Sequence, residues 1–403
     1  MNTYPKYKDS GEQWLGQIPE HWEMRQWRFL LKENVTPNTD CKETQQLQFK
    51  YGEIIPKANQ EIDSDTLKII CKYNKVQPND IMINGLNLNY DFISQRIGMV
   101  RTNGIITSAY ISLHPIGSAN PSYYNYLLKA MDAQKMFHGM GTGVRLTLSY
   151  KELKSKYLPF PTEAEQEVMV AYLDEQTGKI DAAIEREQKM IDLLNERKQI
   201  IIQHAVTKGL NPNAPMKDSG IEWIGEIPES WKSIRLKYCM KIRNGQDYKH
   251  CVADFGYPVY GSGGQFAYAS QYMYDGEVVF FGRKGTIDKP LYYKGKFWAV
   301  DTMFYAIPQK NIIGRFLYYA GRTIPFKYYS TSTALPSMTQ TDLGNNPIAL
   351  PPIEEQQNIV SYLDGKMGNI DRAIEAREKL ISLLRERKQI IINEVVTGKI
   401  KVS

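Results

Sequence analysis

Apolar residues recur at alternating steps of four and three along two stretches of the chain. The first stretch places Ile180, Ile184, Glu187, Ile191, Leu194, Lys198, Ile201 and Ala205 at these steps, and the second places Ile370, Ile374, Arg377, Ile381, Leu384, Lys388, Ile391 and Val395. This spacing is a heptad pattern, typical of helices that bury one seam. Each stretch follows a proline-rich segment, "LPFPTEAEQ" (158–166) or "ALPPIEEQQ" (349–357), which predicts that a long helix begins there.

The two helical stretches belong to an internal repeat. The segment "LNERKQIIIQHAVT" (194–207) returns 190 residues later as "LRERKQIIINEVVT" (384–397), with ten of fourteen positions identical. A second motif, "YKDSGEQWLGQIPEHW" (7–22), returns after 209 residues as "MKDSGIEWIGEIPESW" (216–231), with ten of sixteen positions identical. The order of motif, body and helix, written twice, indicates a duplicated domain.

Between the repeated motifs lie two bodies whose outlines match although their residues differ. Strand-like runs end at glycine in "NDIMINGLNL" (79–88) and "GEVVFFGRKG" (276–285), and "TSAYISL" (107–113) corresponds to "DTMFYAI" (301–307). "NYLLKA" (125–130) and "RFLYYA" (315–320) predict equivalent helices, and "GTGVRLTLSYKEL" (141–153) corresponds to "TSTALPSMTQTDL" (331–343). We therefore predict an α+β chain of two mixed α/β bodies (1–157 and 211–347) and two helical regions (158–210 and 348–403).

The nearly identical helices predict a shared task, and an internal two-fold axis through them would make the pair antiparallel. We expect the interface to contain Ile184, Ile191, Leu194, Ile201, Ile374, Ile381, Leu384 and Ile391. The alternative is that each helix packs only on its own body. A helix from 180 to 207 is ~42 Å long at 1.5 Å per residue. That length is close to the ~34–36 Å between half-sites on one face of DNA, so the pair is a candidate spacer.

Length, charge and hydropathy place the chain among multidomain proteins with packed cores. It has 403 residues, of which 42% are hydrophobic and 23% charged, with a net charge of +6. It contains neither the ~18 consecutive apolar residues of a membrane span nor an apolar N-terminal signal, so we expect a cytosolic protein. The two helical stretches, 163–208 and 353–403, carry −4 and +1, which leaves +9 on the rest. Phosphate contacts are therefore expected on the bodies.

Candidate catalytic chemistry is absent from the sequence. Four widely spaced cysteines, Cys41, Cys71, Cys239 and Cys251, form no C-x-x-C pair, and we expect reduced structural thiols and no metal site. "GSGGQF" (261–266) does not complete a dinucleotide-binding motif, and no phosphate-binding P-loop occurs. Five histidines form no base–nucleophile set, and no Asn-Pro-Pro-Tyr or Asp-Pro-Pro-Tyr tetrapeptide of an adenine methyltransferase is present. We therefore predict no catalytic, cofactor-binding or metal-binding residue.

The bodies instead carry side chains suited to double-stranded DNA. Asparagine and glutamine can bind adenine in the major groove, and arginine and lysine can bind guanine. Polar and basic residues follow the glycine-ended runs and punctuate the aromatic stretch from 260 to 298. Any one of them is more often an ordinary surface residue, so only the ensemble favours nucleic acid. Our candidates for DNA contact are Asn84, Asn87, Arg96, Arg145, Lys249, Arg283, Lys284 and Thr333.

With these motifs the sequence resembles the specificity subunit of type I restriction–modification systems. The resemblance covers essentially the whole chain through two copies each of "DSG..W.G.IP..W" and of "P.P...EQ" leading through "YLD" to "ERKQ.II...VT". It implies two target recognition domains, each binding one half of a bipartite site. It also implies two methyltransferase subunits, two restriction–translocation subunits, and S-adenosylmethionine, ATP and Mg²⁺ held by those partners. Dissimilar bodies then predict an asymmetric target.

Two alternatives stay open on the sequence alone. The chain could be a coiled-coil scaffold whose bodies bind only proteins, which predicts no sequence-dependent DNA binding and a shallow salt dependence. It could also be an enzyme that modifies DNA unaided, which the absent methyltransferase tetrapeptide disfavours. Methyl transfer by the purified chain would distinguish the enzyme from the other two.

Overall fold

The computed structural model describes residues 3–58, 63–88, 95–141, 146–326 and 336–402. The chain divides into two compact units. Unit 1 comprises Met1–Arg186 and Lys379–Ser403, and unit 2 comprises Glu187–Glu378. Each long helix contributes one portion to each unit, so unit 1 is formed by two segments of the chain and unit 2 by one.

Unit 1 contains twelve strands and three short helices within its described residues. The strands are β1 (Tyr7–Asp9), β2 (Gln17–Pro19), β3 (Glu23–Gln26), β4 (Leu31–Glu33), β5 (Leu47–Lys50), β6 (Glu53–Pro56), β7 (Asn74–Val76), β8 (Ile81–Ile83), β9 (Ile97–Met99), β10 (Gly104–Ile106), β11 (Ile111–Pro115) and β12 (Tyr157–Phe160). The short helices are α1 (Ser64–Ile70), α2 (Pro121–Ala133) and α3 (Tyr150–Leu153). The first long helix, α4, runs from Glu163 to Lys208.

Unit 2 contains eleven strands and two short helices within its described residues. The strands are β13 (Met216–Asp218), β14 (Glu226–Pro228), β15 (Lys232–Arg235), β16 (Met240–Asn244), β17 (Val252–Ala253), β18 (Tyr257–Gly261), β19 (Gly264–Ala269), β20 (Tyr274–Gly282), β21 (Leu291–Ala299), β22 (Met303–Pro308) and β23 (Pro347–Leu350). The short helices are α5 (Gly314–Gly321) and α6 (Gln340–Asn345). The second long helix, α7, runs from Ile353 to Val396.

The central sheets of the two units share one strand order. In unit 1 the order is β4-β11-β8-β9, and in unit 2 it begins β16-β22-β20-β21 and continues with β18-β19-β17. Corresponding strands pair antiparallel in both, with Ile111 opposite Ile83 in unit 1 and Ala306 opposite Val279 in unit 2. The α+β class and the duplicated outline predicted from the sequence are therefore confirmed. Among the strands of the described residues, β18, β19 and β17 extend the second sheet, whereas the first sheet ends at β9.

Charged residues in the heptad seam form ion pairs between the long helices. In unit 2, Lys198 of α4 pairs with Asp371 of α7, and Glu187 pairs with Arg377. The α7 number falls as the α4 number rises, so the two helices run antiparallel there. In unit 1, the Nζ atom of Lys388 lies 2.7 Å from the carboxylate of Asp181. The seam therefore combines apolar packing with pairs that fix its register.

The repeated motifs attach each body to the start of its own long helix. In unit 1 the side chain of Gln166 is fully buried, accepts from Asn120 N at 2.8 Å and donates to the carbonyl of Pro161 at 2.9 Å. In unit 2, Gln356 accepts from Ile313 N at 2.9 Å and donates to the carbonyl of Pro351 at 3.0 Å. Buried amides need such partners, so each glutamine is a polar attachment point.

A glutamate beside each glutamine binds the tryptophan of the other repeated motif. The indole N–H of Trp22 donates to Glu165 at 3.3 Å, and that of Trp231 donates to Glu355 at 2.6 Å. Both tryptophans are fully buried. Burial opposes ionisation of Glu165, but hydrogen bonds from His21, Thr162 and Trp22 hold the pKa of this carboxyl below its usual value. The two sequence repeats thus meet at one tryptophan–glutamate contact in each unit.

The end of α7 packs on the N-terminal motif within unit 1. The hydroxyl of Tyr123 donates to the carbonyl of Val396 at 2.9 Å, and the hydroxyl of Tyr7 donates to the carbonyl of Lys399 at 3.3 Å. Gly398 has φ +73°, and a Cβ there would lie 2.5 Å from Pro19. The turn after α7 therefore favours glycine on both backbone conformation and space.

The prediction of four reduced cysteines is wrong for Cys41 and Cys71, which form a disulfide. Their 30-residue separation in sequence shrinks to 4.8 Å between Cα atoms. Asn38 brings them together, because its N–H donates to the carbonyl of Tyr73 and its side chain donates to that of Ile70, beside the end of α1. Cys239 and Cys251 are free and buried, as predicted. Burial raises the pKa of Cys239 to about 11.

Candidate nucleic-acid interface

In unit 1, the β8–β9 hairpin loop pairs with the segment that precedes α3. The N–H of Leu148 donates to the carbonyl of Gly85 at 2.9 Å, and the N–H of Leu88 donates to that of Leu146 at 3.2 Å. A Cβ on Gly85 would lie 2.5 Å from the carbonyl oxygen of Leu148, so only glycine permits this approach. We name residues 84–88 and 146–148 the first loop pair.

In unit 2, the β20–β21 loop pairs with the segment that precedes α6 in the same way. The N–H of Gly285 donates to the carbonyl of Pro336 at 2.9 Å, and the N–H of Met338 donates to that of Arg283 at 3.0 Å. Lys284 and Ser337 form an isolated β-bridge between the two segments. We name residues 282–285 and 336–338 the second loop pair. The repeat therefore places equivalent loop pairs at the same edge of both sheets.

The second loop pair opens onto a polar, basic cavity. This cavity has a volume of about 340 Å³ and is lined by Asn244, Arg283, Lys284, Phe304, Ser337, Met338, Thr339 and Gln340. A neighbouring cavity of about 640 Å³ shares Gln340 and includes Lys237 and Lys241. Four cations and four amide side chains thus line the two adjoining cavities. Such a set suits phosphate contact by the lysines and base contact by arginine or amide.

The candidates in the first loop pair differ in accessibility. Asn87 is exposed and has φ +51°. Asn84 is half-buried, and its side-chain oxygen accepts from Leu86 N at 3.2 Å. Arg96 is only 6% exposed, and its guanidinium donates to backbone carbonyls of residues 84, 86 and 87. All three lie at the first loop pair, but only Asn87 presents itself to solvent. Contact between these residues and DNA stays a prediction.

The candidates of the second body fall in two places. Arg283 and Lys284 belong to the second loop pair, where the Arg283 side chain donates to the carbonyl of Asp301 at 3.3 Å and Lys284 is exposed. Lys249 is exposed on a 3₁₀ turn that ends at the buried Cys251. That cysteine packs in a different core cluster from Met338, so Lys249 is separate from the loop pair. Arg145 and Thr333 lie outside the described residues.

Unit 1 also has a polar cavity, and it is lined by residues that the sequence patterns did not single out. It has a volume of about 680 Å³, and its lining includes Lys32, Asn34 and His114. The fully buried carboxylate of Asp80 accepts from Asn34 Nδ2 at 2.8 Å and lies 2.7 Å from His114 Nδ1. Burial raises the pKa of Glu33 at its edge. These residues are scattered over 83 positions of sequence, so no local motif could have revealed them.

The residues predicted for the helix interface are buried or half-buried. Ile191, Ile381 and Ile391 are buried, and Ile184, Leu194, Ile201, Ile374 and Leu384 are half-buried. Ile184 and Leu384 pack on the main core of unit 1, and Ile201 packs on that of unit 2. The alternative prediction is that each helix packs only on its own body. The ion pairs that join α4 to α7 within each unit contradict it. Which of these residues governs pairing stays a prediction.

A face beside the seam exposes an apolar stripe on each helix, because each stripe residue directly precedes a seam residue and lies about 100° from it around the helix. Met190, Leu193 and Ile200 are exposed on α4, and Leu380, Leu383 and Ile390 are exposed on α7. The two sets are related by the repeat offset of 190 residues. The stripes therefore form two equivalent surfaces, one on each unit, whereas the loop pairs differ in their side chains.

Metal-binding clusters and membrane-spanning helices are both missing from the residues that the structure describes. Among these residues, no three His, Cys, Asp or Glu side chains are arranged to hold a metal ion. None of the helices described combines the length and apolar character that crossing a membrane requires.

Comparison with known proteins identifies a domain and several relatives. Residues 228–384 match the model of the type I restriction modification DNA specificity domain. A Methanocaldococcus jannaschii protein named as the specificity subunit of the MjaX type I restriction enzyme is 24% identical over 96% of both chains. The MjaVIII specificity subunit of the same organism is 26% identical over 85% of this chain and 84% of its own. The EcoDI specificity subunit of Escherichia coli is 22% identical over 44% of this chain and 40% of its own.

A solved structure shares the fold. It comes from work titled as the structural basis of complex assembly and conformational transition of the type I R-M system. The matched chain superposes with a TM-score of 0.70 at 14% identity, over 95% of this chain and 99% of that one. The duplicated sequence motifs, the paired long helices and the domain match at residues 228–384 all indicate similarity to the same class of protein. The chain carries a type I restriction modification DNA specificity domain at residues 228–384, and over most of its length it is similar to specificity subunits of type I restriction enzymes.

Proposed function

We propose that the chain selects DNA sites for a type I restriction–modification complex and leaves the chemistry to partner subunits. Its positive charge supports this role, because the two long helical stretches sum to −3 while the whole chain carries +6. The basic excess therefore belongs to the bodies, where the cations of the second loop pair line open cavities. Association of such surfaces with DNA releases counterions and is strongly salt-dependent.

Each unit binds one half of a split, asymmetric target. The observation that carries this proposal is the contrast between shared scaffold and different loop pairs. Strand order and the Gln166 and Gln356 attachments are duplicated. In contrast, the first loop pair presents amides and the second presents Arg283 and Lys284. Since amides suit adenine and cations suit guanine, the two half-sites differ in sequence.

The antiparallel helix pair fixes the spacing between the half-sites. α4 has 46 residues and α7 has 44. A helix of that length spans about 65–70 Å, so the pair is long enough to separate half-sites by one or more DNA turns. The seam ion pairs supply register, because a shift of one heptad would separate Lys198 from Asp371 and Lys388 from Asp181.

The two exposed apolar stripes dock two copies of a methyltransferase subunit. Equivalent surfaces at one repeat offset suit two identical partners, one at each stripe. Each methyltransferase then faces one strand of the target, and two restriction–translocation subunits complete the complex in the cytoplasm. S-adenosylmethionine, ATP and Mg²⁺ belong to those partners.

The test is selection of DNA by the purified complex of this chain with its methyltransferase. A pool of random duplexes is bound at about 0.15 M salt, eluted and sequenced. We expect enrichment of a split motif, and steep loss of binding as salt rises. A pool that emerges without any enriched motif would support the protein-binding scaffold instead. Transfer of labelled methyl groups to DNA by the chain alone would show that it is itself an enzyme.

A further inference from the structure

The guanidinium of Arg96 is directed into the protein, at the base of the β8–β9 loop. Its Nη1 atom donates to the carbonyls of Asn84 at 2.8 Å and Leu86 at 2.7 Å, and its Nη2 atom donates to that of Asn87 at 3.2 Å. The Arg96 carbonyl also accepts from Asn84 N at 2.8 Å, which closes the loop. The Arg96 side chain thus binds three backbone carbonyls of the loop that follows β8.

Burial makes this arrangement demanding. A guanidinium that is only 6% exposed needs acceptors for its N–H donors, because burying an unpaired charge costs much free energy. Its backbone N–H donates to Asp132 at 2.8 Å, and Asp132 is 2% exposed on α2. Arg96 therefore connects the first loop pair to a helix of the core.

The loop that Arg96 holds has a strained and specific shape. Asn87 has φ +51°, a conformation that few non-glycine residues adopt. Its side chain is exposed while its carbonyl is held by Arg96. On the other side, Gly85 contacts Leu148 too closely for any larger residue. The guanidinium and the glycine together determine where Asn87 points.

We infer that Arg96 is a positioning residue for recognition of the first half-site, acting through the backbone of Asn84–Leu88 without touching DNA itself. The inference rests on the proposed function, in which unit 1 binds one half of the target. In unit 2 the loop after β20 has a different close contact. Gly282 packs so closely on Thr286 that a Cβ on Gly282 would lie 2.1 Å from the carbonyl oxygen of Thr286. The role inferred for Arg96 therefore concerns the first half-site alone.

The test compares Arg96→Gln and Arg96→Lys with the wild-type complex containing the methyltransferase. Lysine keeps the charge but cannot bond three carbonyls with a planar fork. A phosphate contact would survive in the lysine variant, whereas a positioning role would fail in both. Methylated motifs are mapped in cells that lack other adenine methylation. The duplex bearing the wild-type motif then serves for binding measurements across a salt series.

We expect both variants to lose about tenfold or more in discrimination at the first half-site, as when one good base contact is lost. The second half-site should stay intact in the same molecules, which shows that they are folded. The slope of log affinity against log salt should not change, because no phosphate contact is removed.

Three results would overturn the inference. In the first, discrimination at the first half-site is unchanged in both variants. In the second, the lysine variant keeps this discrimination, and the salt slope falls by about one only in the glutamine variant. In the third, discrimination at both half-sites is lost together. The first means that the loop does not need Arg96, the second that Arg96 binds phosphate, and the third that it supports only the general fold. A wild-type complex without any split motif refutes the proposed function itself, before any variant is compared.

Discussion

At the scale of single residues, buried polar side chains explain why the sequence motifs are repeated. Gln166 and Gln356 sit at the start of the long helices and bind backbone groups of their own bodies. Trp22 and Trp231 bring the other motif to the neighbouring glutamate. A buried amide or indole N–H left without its partner destabilises a protein by ~1–3 kcal/mol. These attachment contacts are the same in both units, and they account for the repetition of the two sequence motifs.

Gln356→Leu should destabilise unit 2 by about 3 kcal/mol, since several backbone groups lose a buried partner. The affected groups are Ile313 N and the carbonyls of Asn311 and Pro351. The matched control is Gln357→Leu, because Gln357 is exposed on the same helix and should change stability by less than ~0.5 kcal/mol. Urea unfolding followed by tryptophan fluorescence measures both. Equal effects of the two substitutions would contradict the attachment role.

The carboxyl of Glu165 predicts a loss of stability in acid. Its pKa in the folded protein lies below the usual value of 4.5. Its contribution is therefore complete above pH 4.5, and it disappears as the pH falls through the lower folded value. Melting temperature should drop less steeply between pH 5 and pH 3 in Glu165→Gln than in the wild type. Parallel curves for the two proteins would show that Glu165 is not the group responsible.

Side-chain direction is what the sequence could not reveal at this scale. Arg96 and Asn87 are both polar residues near a strand end, yet one is buried and the other exposed. Local composition does not distinguish them, because the partners of Arg96 are backbone carbonyls that any sequence provides. The Cys41–Cys71 disulfide escaped prediction for a similar reason, since the loop around Asn38 brings the two cysteines together.

At the scale of elements, the heptad pattern predicted the two long helices well. α4 and α7 each begin five residues after the predicted boundaries at 158 and 348, directly after the prolines of the proline-rich segments. The charged seam positions Glu187, Lys198, Arg377 and Lys388 proved to be ion-pair partners across the helix pair. Strand pairing was less predictable, because the β18-β19-β17 extension depends on contacts far apart in sequence.

Three neighbouring residues of α7 allow seam, docking face and neutral surface to be compared. Leu384 is half-buried in the seam, Leu383 is exposed in the apolar stripe, and Ser382 is exposed outside it. Leu384→Asp should lower the stability of the helix pair by about 2–4 kcal/mol, because it buries a charge. Leu383→Asp should leave folding intact and weaken methyltransferase binding about tenfold or more, as loss of an apolar anchor does.

Ser382→Asp is the control for both and should change neither property, because it adds the same charge to a solvated face. Thermal unfolding reports stability, and co-purification with a tagged methyltransferase subunit reports docking. Wild-type stability in Leu384→Asp would contradict the helix seam. Full methyltransferase binding by Leu383→Asp would remove the stripe as a docking surface.

At the scale of the whole molecule, duplication conserved the scaffold and freed the loop pairs to diverge. The sequence revealed this directly through the two repeat offsets of 190 and 209 residues. It matched the segments that form the loop pairs but did not reveal that they pair, because the pairing hydrogen bonds involve only the backbone. The modular arrangement predicts that specificity can be exchanged in halves.

Exchange of the body from about Trp22 to Tyr157 for that of another specificity subunit should alter only the first half-site. The exchange leaves both long helices, with Gln166 and its partner Pro161, and the second body untouched, so the second half-site and the spacer should be retained. Methylated DNA from cells that express the chimera and its methyltransferase reveals the result. A chimera whose two half-sites both change would refute independent recognition.

Methylation mapping with the wild-type chain tests most directly whether the two units bind two different half-sites. The chain is expressed with its methyltransferase in a host that lacks other adenine methylation, and modified bases are located by sequencing. We predict one asymmetric motif, split by a spacer of fixed length and methylated once on each strand. A continuous motif, or two half-motifs at variable spacing, would contradict the proposal that the two units bind separate half-sites at one fixed spacing.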